Sequence, residues 1–160
     1  MKLPTPRAIL PRLPVLAARP AAHAPFFIQK RALTRLLEHV LSDALAAGEC
    51  DFLRGHWLRV SIQDIPLVWD FTLKPDRRIE VSRHQHCDVE IRGTLRSFLL
   101  LASRKEDPDT LFFQRDLVIE GDTELGLRTK NLLDTLELEA LPPELVFLIR
   151  SGAEYVTVFQ

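Results

Sequence analysis

Residues 57–92 alternate apolar and polar side chains with a period of two, which is the pattern of β-strands that bury one face. Leu58, Val60 and Ile62 alternate with less apolar neighbours, and similar runs follow at residues 67–73 and 79–92. Turn-forming residues separate these runs, so we expect neighbouring strands to pair antiparallel. A chain with this block must build a sheet and bury one of its faces.

Helical spacing, with apolar residues every three to four positions, flanks the block on both sides. It predicts a helix from Pro25 to a C-cap at Gly48, and another that follows an N-cap at Thr94. A fifth strand at residues 117–119 and two further helices come next, the last from Pro143 and apolar on every side. The grouped strands predict an α+β fold, in which helices cover one face of a five-stranded, mostly antiparallel sheet.

The first 24 residues form a predicted arm, separate from a domain at residues 25–160. The arm holds five prolines, which favour an extended chain over a continuous helix. Residues 1–37 carry seven Lys or Arg and no acid, whereas the remainder carries 14 basic and 22 acidic residues. This asymmetry indicates either a solvated tail or a contact with an anionic membrane surface. The basic residues of that contact would be Arg7, Arg12, Arg19, Lys30, Arg31 and Arg35.

Bulk properties exclude several classes of protein. A net charge of −1 argues against nucleic-acid binding. The two cysteines suggest no disulfide framework, and no apolar run reaches the ~18 residues of a transmembrane helix. Prolines and arginines interrupt the apolar stretches of the first 24 residues, so we expect no signal peptide and a cytoplasmic protein, with the inner membrane as a peripheral contact.

No candidate catalytic or metal site survives inspection of the sequence. The acids at 107, 109, 116, 120, 122 and 124 lack the spacing of a calcium loop, and Asp109 and Asp122 are better explained as helix N-caps. His84 and His86 would share one face of a strand, beside Cys87, but no second ligand pair has zinc-site spacing. We therefore predict no catalytic residue, no bound metal and no cofactor.

One continuous stretch carries a family resemblance. Residues 102–115, ASRKEDPDTLFFQR, lead into 117–127, LVIEGDTELGL, and FLRGHWL at 52–58 and KNL at 130–132 also fit. Over about residues 25–140 the chain resembles the UbiT family of ubiquinone biosynthesis accessory factors, which is built on an SCP2 (sterol carrier protein 2) lipid-binding domain. The resemblance implies an apolar cavity between sheet and helices, and no catalytic residues. It also implies binding of prenylated quinone precursors or phospholipid in the oxygen-independent ubiquinone pathway, with UbiU and UbiV as partner proteins.

Large apolar side chains are the candidates for lining such a cavity, although each could equally be ordinary core. They are Trp69, Phe71, Phe98, Leu99, Phe112, Phe113, Ile119, Leu132 and Phe147. The alternative function is a protein–protein scaffold with a solid core, whose apolar C-terminal segment docks a partner.

Overall fold

The structure, a computed structural model, describes residues 13–83 and 86–158, with the backbone alone for residues 13–17 and 138. Its helices are α1 (Leu13–His23), α2 (Phe26–Val40), α3 (Ser42–Ala47), α4 (Leu95–Ala102), α5 (Pro108–Phe113), α6 (Thr123–Thr135) and α7 (Pro143–Val158). Its strands are β1 (Leu58–Ile62), β2 (Leu67–Leu73), β3 (Ile79–Ser82), β4 (Val89–Gly93) and β5 (Leu117–Gly121). Short 3-10 turns occupy Asp51–Leu53 and Leu138–Ala140.

The five strands form one sheet in the order β3-β2-β1-β4-β5. The inner pair β1 and β4 is parallel, and the other three pairs are antiparallel. This confirms the predicted α+β class with a mostly antiparallel five-stranded sheet. The parallel pair arises because β4 lies beside β1, on the far side of the sheet from β3, and runs in the same direction as β1.

The strand register separates an apolar face from a polar face. Leu58 lies opposite Phe71 on β2 and opposite Val89 on β4, so these side chains point to one side. That side carries the main buried cluster, against which α2 and α6 pack. The opposite side carries charged residues such as Arg59 and Asp70, which pair directly across β1 and β2. The alternation predicts the burial of β3 and β4, whereas Asp70 and Thr72 on the polar face of β2 are buried as well.

The expectation of an extended arm is wrong for residues 13–23, which form α1. Pro14 lies in the first turn of α1, where a missing N–H costs no helical hydrogen bond, and Pro20 lies inside the helix. Tertiary packing offsets the weak helix propensity, because α1 contacts α7. Residues 1–12, including the predicted membrane contacts Arg7 and Arg12, lie outside the described residues.

Helix caps follow the sequence signals with one shift. Gly48 ends α3 in a left-handed conformation (φ 77°), and the Thr94 side chain accepts a hydrogen bond from the Ser97 N–H, as predicted. Asp122 likewise caps α6, through a 2.9 Å bond from the Leu125 N–H. The prediction that Asp109 is an N-cap is wrong.

The residue that begins α5 is instead Asp107. It accepts bonds from the N–H groups of Asp109 (2.8 Å) and Thr110 (3.3 Å). Pro108 takes the first helical position, which suits its fixed φ, and moves the cap two residues upstream of Asp109.

Candidate functional site

An apolar cavity of about 130 Å³ lies between the sheet and the helices α2 and α6. Its floor is the apolar face of the sheet, and its walls come from both helices and from the segment between α3 and β1. The lining residues from the sheet include Leu58, Val60, Phe71, Leu73, Ile79 and Ile91. Those from the helices include Leu37, Val40, Leu132 and Leu133. A comparable cavity lined by aliphatic and aromatic side chains stays dry and accepts apolar ligands.

The few polar atoms in the cavity wall already have partners. The hydroxyl of Thr129 donates to the Leu125 carbonyl (2.7 Å), and that of Thr72 donates to the Leu53 carbonyl (2.9 Å). Burial raises the pKa of the Cys50 thiol to about 11, with smaller contributions from Glu49 and Asp51, so the thiol is neutral at physiological pH. Of the described residues around the cavity, none offers a free strong hydrogen-bonding group. The wall suits a hydrocarbon and would leave a polar head group unpaired.

A second apolar space, of about 340 Å³, adjoins the cavity and opens outward. The two spaces share Leu37, Val40, Leu133 and Leu136. The outer space is otherwise lined by apolar residues of α2, α4, α7 and the loop before α7, and its two charged lining residues are Arg104 and Glu137. The arrangement is an apolar cavity with an apolar opening and a charged rim.

Arg104 ties two helices together at this rim. It follows α4 with φ 56°, the left-handed conformation that ends many helices. Its Nη2 donates to the carbonyls of Leu133 and Asp134 (both 2.9 Å) and to that of Leu136. The first two carbonyls belong to the last turn of α6 and that of Leu136 directly follows the helix, where a cation also complements the helix dipole. Arg104 therefore fixes the end of α6 beside the opening.

The structure brings three of the predicted cavity residues to these two spaces. Phe71 and Leu132 line the cavity, and Phe98 lines the opening. Trp69 and Ile119 pack against the same buried cluster without lining either space. The Trp69 indole donates a 2.9 Å hydrogen bond to Gln29 on α2, so it anchors that helix to the sheet.

Four other predicted residues lie elsewhere. Leu99 packs against Gly152 of α7, and Phe112 belongs to a second apolar cluster with Leu111 and Leu117. Phe113 and Phe147 are 90% and 70% exposed, and neither lines the cavity or the outer space. Phe113 is the last residue of α5, and Phe147 lies on the outward side of α7.

The residues that the sequence analysis missed are aliphatic. Leu37 and Val40 of α2 line both spaces, and Val60 of β1 lines the cavity. The signal was present, because Leu37 and Val40 belong to the predicted helical stripe and Val60 to the predicted buried face. The choice of candidates favoured aromatic size over the position of a residue on its helix or strand.

The acidic residues form structural contacts. Glu120 pairs with Arg92, Glu124 with Arg128 and Lys130 with Asp109 on the surface. Among residues 13–83 and 86–158, no group of three or more His, Cys, Asp or Glu is close enough to hold a metal ion. His84 lies outside the described residues, and His86 is 3.8 Å from Asp88.

A basic and apolar surface lies at the start of α2. The candidate membrane residues Lys30, Arg31 and Arg35 are exposed there, and Arg19 is exposed on α1. Phe27 beside them is 70% exposed. In the part of the chain that the structure describes, no helix is both long enough and apolar enough to cross a membrane.

Comparison with known proteins identifies relatives of the whole domain. The model of the SCP-2 sterol transfer family matches residues 33–134. The ubiquinone biosynthesis accessory factor UbiT of Escherichia coli strain K12 is 43% identical over 143 residues, which make up 89% of this chain and 82% of that protein. UbiT of Escherichia coli O157:H7 matches to the same extent.

Solved structures share the fold. The ubiquinone synthesis protein UbiJ-SCP2 superimposes with a TM-score of 0.55 at 21% identity, and covers 71% of this chain and 100% of its own. The sterol carrier protein domain 2 of Helicoverpa armigera gives a TM-score of 0.50 at 18% identity, with 78% and 87% covered. The matched family model and the 43% identity along most of both sequences decide the assignment: the chain belongs to the SCP-2 sterol transfer family and, within it, to the UbiT family of ubiquinone biosynthesis accessory factors.

Proposed function

We propose that this protein binds the prenyl tail of ubiquinone precursors and acts, without catalysing a reaction, as an accessory factor of oxygen-independent ubiquinone biosynthesis. The observation that carries the proposal is the apolar cavity whose hydroxyl groups are both bonded to backbone carbonyls. Kinship with UbiT supports the pathway. In this role UbiU and UbiV are the proposed partner proteins, and phospholipid is a second class of ligand.

The proposed ligand enters tail first. Each CH₂ that leaves water contributes about 0.8 kcal/mol, so a prenyl chain gains most of its binding free energy inside the cavity. The quinone ring carries oxygen atoms that the cavity wall cannot satisfy, and it stays at the rim near Arg104 and Glu137. A ring held at the rim remains open to an enzyme that modifies it.

The cavity volume limits how a long tail is held. About 130 Å³ is below the ~300–1,000 Å³ of pockets that enclose a whole small molecule. The tail therefore continues through the adjoining opening between α2, α4 and α7. Leu133 and Leu136, which belong to both spaces, form the passage.

Filling the cavity tests this function. Val60→Phe adds bulk at a lining position of β1, whereas Val68→Phe makes the same change at an exposed position on the polar face of the sheet. We expect Val60→Phe to lower the uptake of a prenylated quinone analogue at least about tenfold, and Val68→Phe to leave it unchanged. Native mass spectrometry and lipid extraction of the purified proteins measure both bound and added lipid. Equal uptake by the two variants would contradict the proposed site.

A scaffold function is the second candidate, and the outward side of α7 favours it. Phe147 and Leu148 are exposed there. An apolar surface of this kind fits a partner protein. Three results together would favour the scaffold. The wild-type protein would carry no lipid in repeated preparations and take up no prenylated quinone analogue. It would still form a complex with a partner protein, and deletion of residues 143–160 would abolish that complex.

A further inference from the structure

We propose that Arg104 binds an ionised oxygen of the ligand's head group at the mouth of the cavity. The preferred ligand is then an amphiphile with an acidic head, either a prenylated aromatic acid or the phosphate of a phospholipid. This inference rests on the proposed function, because it names the head group of the lipid whose tail fills the apolar spaces. The position, the free donors and the charge of Arg104 carry it.

Arg104 lies where the polar end of a bound lipid emerges. It lines the outer space of about 340 Å³, which opens outward. Two of the residues whose carbonyls it contacts, Leu133 and Leu136, line both spaces, so the guanidinium group lies beside the passage between them. The other described residues that line the outer space are apolar, except for Glu137. A head group at the end of this passage therefore meets Arg104.

The guanidinium group is fixed in place and keeps free donors. Its Nη2 donates to the carbonyls of Leu133, Asp134 and Leu136. Among residues 13–83 and 86–158, no group accepts a hydrogen bond from its Nε or Nη1. Arginine can donate from all three nitrogens, so the N–H groups of the other two remain for a ligand. Because Nη2 is already held, less conformational entropy is lost when a ligand oxygen binds.

No carboxylate among the described residues neutralises the charge of Arg104. Arg59 and Arg92 each contact a carboxylate, whereas Arg104 contacts carbonyl groups. Glu137 lines the same space but is exposed, and it forms no ion pair with the described residues. A hydrogen bond from a cation to an ionised oxygen is stronger than one to a neutral oxygen. Arg104 therefore favours an acidic head over a neutral one.

The two apolar spaces offer an acidic head no other partner. Arg104 is the one cation among the described residues that line them. The hydroxyl groups of Thr72 and Thr129 in the cavity wall already donate to backbone carbonyls. An ionised oxygen inside the cavity would lose its water without gaining a hydrogen bond, which is costly. The acidic head therefore stays at the rim while the tail fills the cavity.

A matched pair of lipids tests the proposal by isothermal titration calorimetry. A farnesylated benzoic acid and its methyl ester share tail and ring, and differ in whether the head is ionised. We expect the wild-type protein to bind the acid at least about tenfold more tightly than the ester. Arg104→Gln should lower the affinity for the acid about tenfold and leave that for the ester within about twofold. The ratio of the two affinities separates head-group binding from a loss of stability, which affects both probes alike.

Two further variants sharpen the test. Lys105→Gln removes the neighbouring positive charge, which lines neither space, and should leave both affinities within about twofold. Glu137→Gln should raise the affinity for the acid about threefold, because it removes a like charge from the rim. A damaged fold cannot produce such a gain.

Farnesyl phosphate, titrated in the same way, distinguishes the two sources of an acidic head. Tighter binding of the benzoic acid indicates a prenylated precursor, tighter binding of the phosphate indicates a phospholipid, and dependence of either on Arg104 supports the proposal. Equal affinity of the wild-type protein for acid and ester overturns the role of Arg104 and leaves the apolar site intact. A wild-type protein that binds none of the probes overturns the proposed function as well.

Discussion

Asp70 is the most deeply buried charged group on the polar face of the sheet. It is 1% exposed, and the Arg59 guanidinium contacts both of its oxygens, at 2.7 and 3.1 Å. The hydrogen bond to Asp70 raises the pKa of Arg59, so the guanidinium stays charged at physiological pH. A buried carboxylate that loses a bidentate partner retains its desolvation cost without the compensating attraction.

We therefore expect Arg59→Ala to lower the free energy of unfolding by about 3 kcal/mol. Arg128→Ala is the control, since the Arg128–Glu124 pair is exposed and one helical turn apart, and its loss should cost about 0.5 kcal/mol or less. Urea denaturation of the two variants measures the difference. Similar costs for both would show that the Arg59–Asp70 pair does not stabilise the sheet.

Cys50 makes stability depend on pH in the alkaline range. Its pKa rises from 9.0 to about 11 on folding, because burial disfavours the thiolate. Between these values the unfolded chain loses the proton and the folded chain keeps it, so the stability present below pH 9 is lost as pH rises toward 11. The loss should reach roughly 2–3 kcal/mol. In Cys50→Ala the free energy of unfolding should depend less on pH between 9 and 11 than in the wild-type protein. The same dependence in both proteins would contradict a buried, neutral thiol at this position.

At the scale of elements, Arg104 joins the end of α4 to the end of α6. Both Arg104→Ala and Arg104→Gly remove its hydrogen bonds to α6 carbonyls. Arg104→Ala also keeps a side chain in the left-handed conformation (φ 56°), which costs about 1 kcal/mol relative to glycine. We expect both variants to lower the thermal midpoint, and Arg104→Ala to lower it more than Arg104→Gly. Lys105→Ala, a change at the exposed neighbouring residue, should leave the midpoint unchanged. Thermal unfolding measures the order of the three.

Local patterns predicted the elements that depend on local chemistry. The period of two predicted the first four strands, and the apolar run at residues 117–119 predicted the fifth. Short-range side-chain hydrogen bonds form the predicted caps at Thr94 and Asp122. Local patterns did not predict α1 and placed the start of α5 two residues late, because tertiary packing and one proline determine those helices. The role of Arg104 could not be predicted from the sequence either, because the carbonyl groups that it contacts are 29–32 residues away along the chain. The cavity depends on how α2 and α6 sit on the sheet, which no local pattern specifies.

At the scale of the whole molecule, two exposed apolar sites lie in opposite electrostatic surroundings. Around Phe27, residues 13–40 carry four Lys or Arg and one acid. Around Phe147, residues 134–158 carry five acids and one Arg. Anionic lipid headgroups attract the first surface and repel the second. The charge distribution thus predicts which site meets a membrane.

Phe27→Ser and Phe147→Ser test this prediction as a matched pair, because both side chains are 70% exposed. Phe27→Ser should weaken binding to vesicles of phosphatidylglycerol and phosphatidylcholine by about tenfold, since an aromatic ring beside basic residues inserts at the interface. Phe147→Ser should have no effect on vesicle binding. Salt should weaken binding by the wild-type protein, because it screens the attraction between the basic residues and the headgroups. Vesicle co-sedimentation measures all three, and an equal loss in both variants would mean that the basic start of α2 does not direct the contact.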